Sequence, residues 1–330
     1  MKSGFLICAF MALAISTIAQ TQSGGENTLS PARGHYRKLS TYSTAPQKGM
    51  EKTDARRFQS ETATPPAAPE AATTQGPSES AKNKPPTSAC DPEACQAEVI
   101  GNGRKRTPYY LSGKEKFNIA DPPANSSKQT RAELDYLLQL QSQRSEEDVR
   151  ASLFYAGVYY RTGIQPGDAA YEQFQRNQFH IGRSIGTWFH PDSLPMTAKL
   201  AANVWKDTEY NIWKYKNCYM RIRPYKLETK LENKEETNWA AYPSGHATNS
   251  YMNAFLFASL IPEFTDFFMK DAYDMAHSRE IIGVHYPSDS ESGRQLAFEV
   301  LQGLKKSEQF RKDWNAAKEE IRKARAAKGF

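Results

Sequence analysis

From about Thr107 to the C-terminus, apolar residues recur every three or four positions, and no stretch alternates with the period of two that a useful strand needs. A chain patterned this way buries its apolar faces helix against helix, so the expected fold class is all-α, a compact helical bundle. Capping residues and breakers divide the pattern. Ser127 is placed to cap a helix over 128–144, and Ser145-Glu146-Glu147-Asp148 to start another reaching about Arg161. Gly163 to Gly167 interrupts. A further helix is expected over 168–189, and His190-Pro191-Asp192-Ser193 separates it from one running from Pro195 to about Tyr219.

Three later helices follow from the same signals. Ser244 can cap a run to Ile261 with Met252, Phe255, Leu256, Ser259 and Leu260 on one face. Phe264, Phe268, Ala272, Met275 and Arg279 form a second stripe, and Ser288 with Glu291 reads as a capping box for a helix through Leu304. There is no internal repeat.

The first third of the chain is different. A mean hydropathy of −0.71 and 19 prolines imply that part of the 330 residues does not contribute to a core. Residues 1–19 have the form of a secretory signal peptide: Lys2, an apolar run from Gly4 to Ile15, and Thr17-Ile18-Ala19 as a cleavage site before Gln20. Residues 20–106 are rich in Pro, Ser, Thr and Ala and read as a largely disordered linker, leaving 107–330 as the helical domain. The expectation is an exported protein, periplasmic or secreted, without a membrane span.

Of four cysteines, Cys90 and Cys95 are close enough for a local disulfide in an oxidising compartment, and Cys218 is then the odd thiol, read as a buried core residue. A net charge of +6 from 43 basic and 37 acidic residues is too diffuse to indicate a nucleic-acid polymer as partner. His35, His180, His190 and His277 form no metal-ligand set, so no metal and no cofactor are expected.

Three polar constellations remain. In Tyr242-Pro243-Ser244-Gly245-His246 a cap, a glycine and a histidine meet at a helix start, where free backbone N–H groups favour an anion. Lys216 and Arg223 are seven residues apart, which on a continuing helix puts two cations on one face; Pro224 should end that helix at Arg223. Arg221 and Lys214 are read as surface charges. Arg279 falls on the face that should be buried and therefore needs an anionic partner. His285 follows the break at Gly283, and Asp289 in the next first turn can accept from it and set its tautomer.

Together these residues match the signature Lys-x6-Arg-Pro, Pro-Ser-Gly-His, Ser-Arg-x5-His-x3-Asp, with 18 residues (225–242) between the first two blocks and 31 (247–277) between the last two. Over roughly Pro122 to the C-terminus the chain resembles the bacterial class A non-specific acid phosphatases of the type 2 phosphatidic acid phosphatase superfamily. The resemblance extends through Tyr219-Met220-Arg221-Ile222-Arg223-Pro224. It implies hydrolysis of small phosphate monoesters without a metal: His285 as nucleophile oriented by Asp289, His246 as the acid for the leaving oxygen, and Lys216, Arg223, Ser244, Gly245 and Arg279 around the phosphoryl group. Homo-oligomers are common among such enzymes. Two other readings are a vanadium-dependent haloperoxidase of the same superfamily and an envelope-tethered binding module whose working part is the linker.

Overall fold

The computed structural model describes residues 99–101, 103–159, 166–327 and 329. The leader over 1–19, most of the linker and the Cys90–Cys95 pair lie outside the described residues. Nine α-helices occur among the described residues: α1 (Lys128–Gln143), α2 (Glu146–Val158), α3 (Tyr171–Gln178), α4 (Pro195–Tyr219), α5 (Pro224–Leu227), α6 (Gly245–Leu260), α7 (Thr265–Ile281), α8 (Pro287–Leu304) and α9 (Glu308–Ala326). The fold is the expected all-α bundle, with one two-stranded antiparallel hairpin, β1 (Ile100–Gly101) and β2 (Arg104–Lys105). No helix among the described residues is long and apolar enough to cross a membrane.

Helix α6 is the axis of the bundle. Its buried residues, from Ala247 through Met252, Asn253 and Phe257 to Leu260, occupy every face, as expected of a helix surrounded by others. It packs against α4, α7 and α8, while α9 covers α4 and α6, and α1 and α2 lie on α7. Contact with α8 is close because Gly293 has no side chain: a Cβ there would lie 2.9 Å from the Ser244 carbonyl oxygen and 3.0 Å from the Ala247 Cβ. The Ser244 N–H also donates to the Asp289 carbonyl at 3.0 Å. The start of α6 and the first turn of α8 are thereby locked together.

Local capping logic is realised at several ends. Ser127 Oγ accepts from the Thr130 N–H, Ser145 and Asp148 form a reciprocal capping box, and Ser244 Oγ accepts from the Ala247 N–H. Elsewhere the structure corrects the expectation. The helix expected over 168–189 is only Tyr171–Gln178, because the chain then turns through Gly182 (φ 101°) and Gly186 (φ 130°). Burial without helix is achieved there by aromatic packing: Phe179, Phe189 and Phe257 lie with ring centroids 4.8 to 5.4 Å apart. A Cβ on Gly182 would meet the rings of Phe189 and Phe268 at 2.6 and 2.7 Å.

Packed structure is also present before Thr107. The 99–106 stretch, assigned to the linker from composition, is the β1–β2 hairpin seated on α4: Gly101 lies against the Trp213 ring, and buried Arg106 pairs with Glu209 at 3.2 Å. Downstream, Asp207 accepts the backbone N–H groups of Tyr109, Tyr110 and Leu111 at 2.9 to 3.1 Å, which pins that segment to α4. Cys218 is not a free core thiol. It is half-buried and disulfide-bonded.

Candidate active site

Helix α4 stops at Tyr219 because Met220 takes the left-handed conformation (φ 49°) as its cap. Lys216 and Arg223 therefore do not share a helix face, contrary to the seven-residue spacing argument. They converge all the same, because the chain reverses between them. Lys216 Nζ donates to the Ala240 carbonyl at 2.6 Å and Arg223 Nη2 donates to the same oxygen at 3.2 Å. Both cations are 3% exposed, and burial, followed by the charge of Arg223, holds the Lys216 ammonium pKa well below its ordinary value.

Opposite them lie the two histidines. Gly283 (φ 71°) ends α7, and His285 follows, buried at 3% exposure. Its Nδ1 is 3.1 Å from Asp289 Oδ2 and its Nε2 is 3.0 Å from Arg223 Nη1. Guanidinium can only donate, so Nε2 carries the lone pair and Nδ1 the proton. Burial and then the Arg223 charge push the His285 pKa well below the ordinary value, with Asp289 opposing. Asp289, fully buried, remains ionised. Burial pushes its pKa up, but the His285 hydrogen bond and the Arg221 charge outweigh that and hold it at about 2.

His246 sits in the first turn of α6, half-buried, with Nε2 donating to the Ala156 carbonyl at 2.9 Å. Burial and the neighbouring Arg279 guanidinium lower its pKa to about 4. Arg279 is completely buried and donates to the Ser152 carbonyl at 2.9 Å and to Glu235 Oε2 at 2.5 Å. Lys216, Arg223, Gly245, His246, Arg279 and His285 line one pocket, together with the aromatic side chains of Tyr159, Trp205, Trp213 and Trp239. Next to Gly245 the backbone is open: a Cβ there would come no nearer than 3.8 Å to another side chain. Ser244 and Asp289 do not line the pocket and are fully buried.

Some expectations need correction. Arg221 and Lys214, read as surface charges, are 5% and 4% exposed. Lys214 Nζ ties down the Gly113 and Glu115 carbonyls at 3.1 and 2.9 Å. Arg221 is the support of Asp289: its Nη1 lies 2.6 Å from Oδ1, its Nη2 3.1 Å from Glu133 Oε2, and its guanidinium 3.9 Å from the centre of the Tyr286 ring. Ser288 does not cap α8. Its hydroxyl donates to Glu133 and accepts from Arg221, while Asp289 Oδ2 takes the Tyr286 N–H. Sequence reasoning also missed Glu235, the anionic partner that buried Arg279 required; an acidic residue in the polar stretch between the first two signature blocks was the available signal. Among the described residues no group of three or more His, Cys, Asp or Glu side chains is arranged to hold a metal ion.

No family model matches the chain. Curated proteins do. It is 33% identical over 114 residues to the non-specific acid phosphatase of Providencia stuartii, covering 33% of this chain and 46% of that protein. It is 30% identical over 140 residues to the acid phosphatase of Zymomonas mobilis, covering 41% and 53%. Its sequence relatives are acid phosphatases. A third, the non-specific acid phosphatase of Salmonella typhi, is 28% identical over 143 residues, covering 42% and 57%. The chain thus spans about half the length of the curated relatives it matches. Superposition on the transmembrane PAP2-type phosphatidylglycerolphosphate phosphatase of Bacillus subtilis gives a TM-score of 0.29 at 16% identity, covering 54% of this chain and 95% of that one, too loose a likeness to say more.

Proposed function

We propose that the protein is a metal-independent acid phosphatase acting on small phosphate monoesters through a phosphohistidine. The observation that carries this reading is His285, with its Nε2 lone pair turned into a pocket of buried cations and its Nδ1–H held by an ionised Asp289. Buried cations without full anionic compensation favour a dianionic ligand, and fixed charges around a transferring phosphoryl group address the main electrostatic part of the barrier.

In the first step Nε2 attacks phosphorus and the bond to the leaving oxygen breaks, its electron pair going to oxygen. Arg223 Nη1, which donates to Nε2, passes to a phosphoryl oxygen, joined by Lys216, Arg279 and the N–H groups at the start of α6, with Ser244 setting that helix start. His246 gives the leaving oxygen its proton from Nδ1, since Nε2 is committed to the Ala156 carbonyl. In the second step His246, now neutral, takes a proton from water as the water oxygen attacks phosphorus. The P–N bond breaks and its pair returns to Nε2. Another alcohol in place of water would make the same enzyme a phosphotransferase.

The signal-like residues 1–19 and the disulfide at Cys218 both fit an exported protein in an oxidising compartment. Turnover of p-nitrophenyl phosphate tests the reading. Hydrolysis that survives EDTA and is inhibited by vanadate is expected; dependence on added zinc or magnesium after EDTA would overturn the mechanism.

A further inference from the structure

Glu235 is the one acidic side chain among the described residues that touches Arg279, and it lines the same pocket as Lys216, Arg223 and His285. Carboxylate and phosphoryl oxygens make the same kind of charge-assisted contact with a guanidinium. We infer that Glu235 is a built-in competitor for the phosphoryl subsite, an internal carboxylate that a phosphate ester must displace from Arg279 and that re-enters as product phosphate leaves. The inference rests on the phosphatase reading above.

Three features separate this from a plain structural ion pair. The first is position. Arg279 Nη1 and its helix are already fixed by the Ser152 carbonyl, and its buried Nε has no hydrogen-bond partner among the described residues, so the guanidinium has donor capacity left for a ligand. The second is the segment bearing Glu235. Its base is clamped by the site, with Arg223 holding the Trp239 and Ala240 carbonyls and Lys216 those of Ala240 and Ala241. Its tip is in solvent: Glu232, Asn233, Lys234 and Glu236 are exposed. The carboxylate can leave by a change of side-chain rotamer without unseating the catalytic cations.

The third is electrostatic need. A fully buried guanidinium is unfavourable without an anion, so the empty protein gains from Glu235 what the loaded protein gains from the phosphoryl group. Such an arrangement weakens anion binding by the strength of the internal pair. It therefore speeds release of inorganic phosphate and raises KM together.

Binding of inorganic phosphate to Glu235→Gln, Glu235→Asp and the wild type, by calorimetry and by thermal shift, tests this. Loss of the competing charge should tighten phosphate by about tenfold or more, the usual worth of a hydrogen bond to a charged group. The same variant should melt lower when empty and gain more Tm from phosphate. Glu235→Asp, which keeps a shorter carboxylate, should move the same way by less and remains informative if the glutamine variant does not fold. Phosphate binding that is unchanged or weaker in the variants would overturn the inference and make Glu235 a support for Arg279. If wild type hydrolyses esters and binds phosphate while the variants fail to tighten, the phosphatase reading stands alone. A wild-type protein that neither binds phosphate nor hydrolyses esters removes both.

Discussion

Replacing Arg221 by Met removes a cation that never reaches the pocket, since it stands behind Asp289 with 2% of its side chain exposed. Two carboxylates lose their partner at once, Asp289 at 2.6 Å and Glu133 at 3.1 Å. Leaving a buried charge without its counter-ion costs about 3–5 kcal/mol, a loss that a domain stabilised by about 5–15 kcal/mol can survive. The pH dependence makes the attribution specific. In the native protein Asp289 titrates at about 2, below the roughly 3.9 of a free aspartate. A depressed carboxylate pKa contributes stability that is fully present above the unfolded value and is lost as pH falls from about 4 through 2; for Asp289 this amounts to about 2 kcal/mol. Without Arg221 the Asp289 pKa rises and that contribution shrinks. Urea unfolding should therefore show the variant about 3–5 kcal/mol less stable at pH 7, with the gap narrowing as pH is taken from 4 towards 2. Turnover should fall through kcat with little change in KM, and Arg221→Lys should restore part of it. A stability loss below about 1 kcal/mol at pH 7, or a gap independent of pH, would refute the assignment of Arg221 as the support of the His285–Asp289 pair.

Further outcomes follow from the same geometry. His285→Ala should abolish turnover and the acid-labile phosphoenzyme trapped by rapid quench, whereas His246→Ala should slow hydrolysis by about 10²–10⁴, and less for p-nitrophenolate, which leaves without a proton; equal impairment with good and poor leaving groups would refute the role of His246 as the leaving-group acid. Since burial and Arg279 lower the His246 pKa to about 4 and it acts protonated, kcat/KM should decline as pH rises above about 4, while kcat, measured with a dianion beside His246, should hold to higher pH; a kcat/KM flat between pH 4 and 8 would exclude His246 as the acid. Gly101→Ala would place a Cβ 2.4 Å from the Trp213 ring, overpacking that should cost about 1–3 kcal/mol and be visible as a lowered Tm; an unchanged Tm would mean the hairpin is not seated on α4.

Much of the scaffold was legible in the sequence because its signals are local. Ser127, Ser145 and Ser244 each cap the helix they precede, and Pro195 opens α4, since a cap or a first-turn proline acts within three or four residues of itself. Arg279 was legible as buried because Phe268, Ala272 and Met275 share its stripe, and all are buried in the structure. The stretch after α3 was misread for the complementary reason: its apolar spacing resembles a helix, but Gly182 and Gly186 turn it so that Phe179 and Phe189 reach Phe257, on a different helix.

What the sequence by itself determined is the all-α class, the starts of α1, α2, α4 and α6, and the polar residues of the signature, since periodicity, capping and motif spacing are properties of neighbours along the chain; α9 (Glu308–Ala326) was not anticipated. Only the tertiary structure decided how those residues are charged and held. Arg221 meets Glu133 across 88 positions and Arg279 meets Glu235 across 44, and neither spacing carries a local signal. Lys216 and Arg223 converge through a left-handed turn at Met220 rather than along a helix face, and the 99–106 hairpin is ordered by Trp213 and Glu209, more than 100 positions away. An isolated charge reads as solvated until folding removes the water around it. Burial then requires a partner, and which partner is at hand is set by how α4, α6, α7 and α8 pack.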